Sequence, residues 1–298
     1  MRATLRRRLL ADAALLGITF VWGSTFVVVK KALESSSTLL FLFLRFTLGS
    51  AVLTLLFRRR LWVGLQERGS LLQGLLVGLV LFLGYLFQTL GLRLTTPARS
   101  GFLTGLSVVA VPVLQSALYR SLPGWNCWVG VGCATAGLYC LAAPETTGSI
   151  SRGDLLTLIC AVAFGLHILL LGRFSRSERV ATLAVTQIAV AALLSLACLP
   201  WAERLYVRWN LFLLLAVLVT GLLATALGFW VQTWAQQFTS PTHTALILSL
   251  EPLVAWMTSY LALGERLGAR GAWGAGLILA GIFLSEWKPG GNADHPSG

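Results

Sequence analysis

The sequence predicts an all-α integral membrane protein with ten transmembrane helices, arranged as two inverted-topology repeats of five. Three observations lead there. Of the 298 residues, 56% are hydrophobic and 11% charged, and the mean hydropathy is +0.79, whereas an ordinary soluble domain carries roughly 25% charged residues. The apolar residues fall into ten continuous runs, each near the ~20 residues that a helix needs to cross ~30 Å of hydrocarbon. The two halves of the chain also align on one another. Low charge argues against a disordered chain, and the 30 Gly and 9 Pro form no linker-like or collagen-like tract. A membrane β-barrel would alternate apolar and polar residues in segments of about ten, and these runs do not alternate.

The runs cover residues 9–29, 38–57, 70–92, 100–119, 125–143, 154–172, 181–200, 209–236, 242–263 and 270–287. The first follows Arg6, Arg7 and Arg8 as a secretory signal would. It has no small-residue cleavage site and continues through Trp22 to Val29, so it is read as a retained helix. The second contains Arg45, a cation well inside a span. Gly74 and Gly78 in the third run, and Gly101 and Gly105 in the fourth, have the spacing of closely packed helices. Along the fourth, Ser100, Thr104, Ser107, Val111 and Gln115 form a mostly polar stripe that should face a wet cavity or another helix. The fifth and tenth add Gly130, Gly132, Gly274 and Gly276. His167 lies in the sixth, and Trp230 and Gln232 lie in the eighth. The ninth holds Glu251, with Thr244 and Thr258 one heptad away on the same expected helical face. Connecting loops are short, so activity is expected among the helices themselves. Trp62, Trp125, Trp128, Trp201, Trp209 and Trp287 sit near run ends, as interfacial anchors do.

A net charge of +12 would suit nucleic acid if the bases clustered on a solvated face between stacking aromatics. Here they sit at helix ends, and no nucleic-acid partner is expected. Counted by alternate compartments, thirteen Lys and Arg lie on the side of the termini and nine on the other, with Arg45 in neither. The excess is strongest around the first two runs, at Arg6–Arg8 and Arg58–Arg68. Both termini are therefore expected in the cytoplasm, and the loop from Glu145 to Arg152 outside, in a plasma (inner) membrane. Cys127, Cys133, Cys140, Cys160 and Cys198 lie inside or at the edges of runs without a CxxC pair, so neither a metal site nor a cofactor is expected.

A shift of 144 lays Gly84–Cys140 on Gly228–Leu284 without a gap. Gly84, Gln88, Thr89, Thr95, Pro97, Leu106, Gly130, Gly132, Ala136 and Gly137 meet their own kind. A shift of 142 lays the first run on the sixth, pairing Asp12 with Asp154, Trp22 with Phe164, Gly23 with Gly165 and Lys31 with Arg173. The expected halves are residues 1–144 and 145–288, followed by a disordered tail at 289–298. Five helices per half is an odd number, so the second half enters the membrane from the opposite face. That build is common in secondary transporters, with the solute site near the midplane between the halves.

At these residues the chain resembles the drug/metabolite transporter superfamily, specifically its EamA-like members. The resemblance is carried by Trp22-Gly23-Ser24-Thr25-Phe26, Leu44-Arg45-Phe46, Ser100 to Leu103 with Pro112, Leu250-Glu251-Pro252, Gly264-Glu265-Arg266-Leu267, and the glycine-rich stretch from Gly274 to Gly281. It covers nearly the whole chain and implies ten helices in two inverted halves. It also implies transport of small metabolites through a cavity lined by helices one, three, four, six, eight and nine. Ser121 and Ser107 stand where repeat symmetry with Glu265 and Glu251 would place acids, so the acidic character is one-sided.

The expected substrate-binding set is Trp22, Thr25, Tyr85, Gln88, Thr104, Ser107, His167, Trp230, Gln232 and Glu251. Gln88 and Gln232 each follow an aromatic residue, Tyr85 and Phe229, by three positions, which puts amide and ring on one helix face. Glu251 is a candidate to bind a substrate amine or take up a proton, or to serve as a structural acid. Arg45 is a candidate to offset Glu251, to meet a substrate carboxylate, or to satisfy backbone carbonyls. Both are candidates for proton or charge coupling. His167 alone cannot form a metal site. No GxSxG, HExxH, P-loop or DxD motif supports an enzyme. The expected activity is secondary transport, with export favoured, of a small polar or amphipathic metabolite such as an amino acid. Nucleobases or phosphorylated metabolites are the alternative cargo, a channel is a weaker rival, and the expected assembly is a monomer or weak homodimer in the lipid bilayer.

Overall fold

The computed structural model describes residues 2–120, 122–142, 151–175, 179–263 and 269–286. Ser121, residues 145–150, Arg176, the motif at 264–267, Trp287, Lys288 and the tail lie outside the described residues.

The chain is helical nearly throughout. The elements are α1 (Arg2–Ala32), α2 (Thr38–Leu65), α3 (Arg68–Leu94), α4 (Pro97–Gly105), α5 (Ser107–Tyr119), α6 (Trp125–Ala142) and α7 (Arg152–Phe174). They continue as α8 (Val180–Ala202), α9 (Leu211–Val219), α10 (Gly228–Ala235), α11 (Pro241–Leu248), α12 (Glu251–Leu263) and α13 (Ala269–Glu286). Among the described residues, seven segments are long and apolar enough to cross a membrane. The remaining apolar runs correspond to α6, to α11 with α12, and to α13. Large apolar side chains such as Leu55, Leu56, Leu193 and Leu214 are exposed on the outside of the bundle. Water would penalise such a surface and hydrocarbon does not. Trp62, Trp125, Trp201 and Trp209 are exposed as well, near helix ends.

Three runs expected as continuous helices are interrupted. The fourth divides at Leu106 into α4 and α5, and the ninth divides at Ser249 and Leu250 into α11 and α12. The ninth breaks for a readable reason: Pro252 has no N–H to donate, and its ring would crowd the carbonyl of Leu248, so the helix restarts at Glu251. Leu250 N–H instead closes a tighter turn on Ile247 O at 3.2 Å. Glu251 therefore stands in the first turn of a new helix rather than mid-helix. The same break places Thr244 and Thr258 in different helices from each other, so the expected heptad face is not continuous. In the eighth run, Thr220–Leu227 winds as a π-helix between α9 and α10. The second run extends beyond its expected end, to Leu65, through a kink at Phe57 (φ −112°, ψ 17°).

Helix starts follow ordinary capping chemistry. Thr96 and Ser240 accept from Arg99 N–H and His243 N–H at 3.3 and 3.2 Å, ahead of Pro97 and Pro241, which need no N–H partner. Ser151 and Asp154 form a reciprocal capping box at α7. Two caps come from far along the chain. The Glu203 carboxylate accepts the first amides of α2, from Thr38 at 2.9 Å and from Leu39. The Lys30 ammonium donates to the last carbonyls of α3, on Leu92 and Arg93, and to that of the C-cap Thr95, at 2.7, 3.0 and 3.0 Å. Beside these caps, Ser36 and Val207 form an isolated antiparallel bridge.

The glycine pairs singled out by spacing lie at contacts between helices of this chain. A side chain on Gly74 or Gly78 would strike Thr186 or Val190 of α8, and one on Gly105 would strike Pro252 of α12. Gly137 packs on Gly274 and Gly281 packs on Gly130, which draws α6 and α13 together. Gly132 and Gly276, expected to share that role, face open space.

Candidate functional site

The interrupted helices converge on an internal cavity. α1 contributes Trp22, Thr25, Phe26 and Val29; α2 contributes Arg45; α3 contributes Tyr85, Gln88, Thr89 and Leu92. Thr104, Gly105 and Ser107 flank the break between α4 and α5, and Leu248 and Glu251 flank that between α11 and α12. Phe164, His167 and Ile168 of α7 and Phe229 and Gln232 of α10 complete the wall.

Aromatic rings frame this space. Phe229 lies 5.4 Å from Trp22, 5.9 Å from Tyr85 and 5.8 Å from His167, centroid to centroid. Tyr85 also meets Phe164 edge-on at 5.3 Å. The π-helical stretch holds two of the groups in place. Its Ala224 carbonyl accepts from the Trp22 indole at 2.7 Å, and its Thr225 hydroxyl accepts from Arg45 Nε at 3.1 Å. The Arg45 guanidinium lies over the rings of Tyr85 and Phe46, at 4.7 and 5.5 Å. Among the described residues it has no carboxylate partner, so it does not pair with Glu251.

The tautomer of His167 follows from a chain of hydrogen bonds. Thr233 donates its hydroxyl to Phe229 O at 2.6 Å, so it must accept from Gln187 Nε2 at 3.0 Å. The Gln187 oxygen is then the acceptor for His167 Nε2–H at 2.8 Å. Nδ1 of a neutral His167 is thereby left with a free lone pair and no partner among the described residues. Gln88 donates to Thr104 Oγ1 at 3.3 Å, whereas the buried Gln232 side-chain oxygen has no partner among the described residues. Glu251 forms no ion pair among the described residues. Gly23 lets α1 pass close to it: a side chain there would come within 2.7 Å of the Glu251 carbonyl.

Of the ten residues expected from sequence to bind substrate, nine line the cavity. Trp230 does not. It stacks on Phe57 at 5.9 Å, and the ring that faces inward belongs to its neighbour Phe229, about 100° away around the helix. Sequence reasoning missed the apolar liners Phe26, Val29, Leu92, Ile168 and Leu248, which look like any core residue. It also missed Gln187, fully buried in α8, although a strongly polar group within a span was itself a signal.

Membrane-crossing helices folded around a polar and aromatic cavity define a multi-pass membrane protein with an interior cavity. The sequence pattern of the EamA-like transporter family matches residues 9–143 and again residues 151–287, and the chain belongs to that family. It is 34% identical over 280 residues to an uncharacterized transporter of Archaeoglobus fulgidus, covering 93% of this chain and 86% of that protein. It is 24% identical over 279 residues to the uncharacterized transporter YoaV of Bacillus subtilis, covering 92% and 95%. A solved structure described only as a crystal structure of a protein shares the fold, with a TM-score of 0.75 at 18% identity over 92% of this chain and 96% of that one.

Proposed function

We propose that the protein is a secondary transporter of small polar or amphipathic metabolites, such as amino acids, working by alternating access through ten spans in two inverted repeats. The observation that carries this reading is the composition of the cavity wall. Its residues come in pairs offset by the sequence repeat: Trp22 with Phe164, Thr25 with His167, Tyr85 with Phe229, Gln88 with Gln232, and Ser107 with Glu251. Element starts support the same registers, 142 between α2 at Thr38 and α8 at Val180, and 144 between α5 at Ser107 and α12 at Glu251. So do two equivalent side-chain contacts between a base and an acid, Arg99 with Asp154 at 2.7 Å and His243 with Asp12 at 3.2 Å. The two matches of the family pattern divide the chain near the same point.

The pairing fails at one end, and that failure has a direction. Val29, Thr89 and Leu92 line the cavity, whereas their equivalents Leu171, Thr233 and Gln236 do not. Gln236 donates to Ile168 O at 2.9 Å, across the closed end. The mouth thus lies toward the ends of α1 and α3 at Ala32 and Leu94. With both termini in the cytoplasm of a plasma (inner) membrane, as the distribution of Lys and Arg favours, this is an outward-facing carrier.

Purified protein in liposomes should give saturable solute flux without ATP. Unsaturable, ohmic conductance would replace the carrier reading with a channel. For orientation, in a cysteine-free background Val29→Cys, on the cavity wall, should react with an impermeant maleimide from outside, while Leu171→Cys, fully buried, stays protected. Reaction of Leu171→Cys alone would reverse the assignment of the mouth.

A further inference from the structure

Gln187 is fully buried in α8 and stands outside the cavity wall, yet it is bonded to a residue of that wall. At the offset of 142 it occupies the place that Arg45 holds in the first half. Both are strongly polar groups within a span, where hydrocarbon makes them expensive. They are used differently. Arg45 lines the cavity itself and donates to Thr225. Gln187 reaches His167 at 2.8 Å with its oxygen and Thr233 at 3.0 Å with its nitrogen, and of these two partners it is His167 that lines the cavity.

The direction of this relay is set at its far end. A carbonyl oxygen only accepts, so the single hydroxyl proton of Thr233 goes to Phe229 O at 2.6 Å. Thr233 then faces Gln187 with a lone pair, which the amide nitrogen meets. Were the amide reversed, two acceptors would confront one another at Thr233, and an N–H would face His167 Nε2. That would drive the imidazole proton to Nδ1. A buried polar group left unmet is costly, so Thr233 holds the amide one way round. The Phe229 ring stands edge-on to the imidazole, 5.8 Å between centroids and 85° between planes. The residue whose carbonyl starts the relay thus also bounds the ring at its end. Gln187 brings no charge, and no ion pair among the described residues involves His167, so the buried imidazole stays neutral. With Nε2–H turned to α8, its remaining nitrogen carries a lone pair.

We infer that Gln187 is a specificity-determining positioning residue: acting through His167, it makes the cavity wall a hydrogen-bond acceptor at Nδ1 and denies it a donor there. A solute with an N–H or O–H can meet that lone pair. One that brings only acceptors or apolar surface leaves it unmet once water is displaced. The inference rests on the transport reading above for the solute's being carried, and adds to it a hydrogen-bond polarity at one point of the wall.

The test uses the full chain in nanodiscs with nitrogen-15-labelled histidine, the His167 resonances being assigned by their loss in His167→Gln. Wild-type protein should show one tautomer, protonated at Nε2. Thr233→Val removes the hydroxyl at nearly constant shape and frees the amide to turn, and Gln187→Leu removes the amide. Each should add a second set of resonances from the Nδ1–H tautomer, whereas Thr233→Ser should keep the single set. Phenol and indole are then titrated against anisole and N-methylindole, which retain the ring system and lack the donor. Phenol or indole should shift wild-type Nδ1 saturably, while the methylated partners at equal concentration leave it in place. In Thr233→Val the shift should fall at least twofold. If Gln187→Leu gives no folded protein, the Thr233 pair decides alone, because a purely structural amide would lose stability without changing the tautomer. Three results would each overturn the inference: a wild-type Nδ1–H tautomer, an unchanged single tautomer in the folded variants, or no discrimination between the donors and their methylated partners. Ohmic conductance in the liposome assay would remove the transport reading, and the resonances would still decide what Gln187 does to His167.

Discussion

Glu251→Gln should lower the initial rate of saturable transport about 10- to 100-fold at low solute concentration while leaving the yield of folded protein unchanged. The substitution keeps size and shape and removes one charge. A hydrogen bond to a charged group contributes ~1.5–3 kcal/mol, and each ~1.4 kcal/mol is tenfold in an equilibrium constant. The folded state should tolerate the change, because no ion pair among the described residues depends on Glu251. The carboxylate does lie in the first turn of α12, where the helix dipole favours a negative charge by only ~0.3–1 kcal/mol. Glu251→Asp retains the charge on a shorter arm and should recover part of the rate. Flux and pH profile unchanged in a well-folded Glu251→Gln protein would make this acid a structural one, set beside Pro252 to start α12.

The largest loss of stability is expected from Gly137→Leu and Gly281→Leu. The first side-chain carbon at Gly137 would stand 2.5 Å from the Gly274 carbonyl oxygen, and that at Gly281 2.5 Å from the Gly130 carbonyl oxygen. These neighbours are backbone and cannot turn aside, so α6 and α13 would have to separate. Overpacking of this kind costs about 1–3 kcal/mol even where side chains can yield. Size-exclusion profiles and melting in detergent should show little monodisperse protein for either variant. Gly132→Leu and Gly276→Leu supply the control, since open space surrounds both, and they should behave nearly as wild type. Equal behaviour of all four would mean that α6 and α13 do not pack through these glycines.

What was legible in the sequence was whatever hydrocarbon makes expensive. Charged and amide groups inside apolar runs stand out against their surroundings, which is why Arg45, Gln88, Gln232, His167 and Glu251 were found and why they share one cavity. Apolar liners carry no such mark. Leu92, which lines the cavity, and Leu94, exposed on the outside, are the same residue in the same helix, and only rotation about the axis separates them. Trp230 was misplaced for the same reason: an error of one residue turns a side chain by about 100°. The helix breaks were partly legible. Pro252 announces one, but nothing in the residues around Leu106 announces its counterpart, and the π-helical turn at Thr220–Leu227 has no sign of its own. Its effect is visible only where Ala224 O and Thr225 Oγ1 meet Trp22 and Arg45.

The cap on α2 bears on the order in which the chain is made. Thr38 N–H waits for a carboxylate 165 residues downstream, and Ser37 N–H waits for Tyr206 O, at 2.8 Å. While the ribosome has delivered only the first five helices, these amides have no protein acceptor and must be met by water or lipid headgroups. The rim near the mouth is therefore wet and loose during synthesis, and it sets only when the connection between α8 and α9 reaches it.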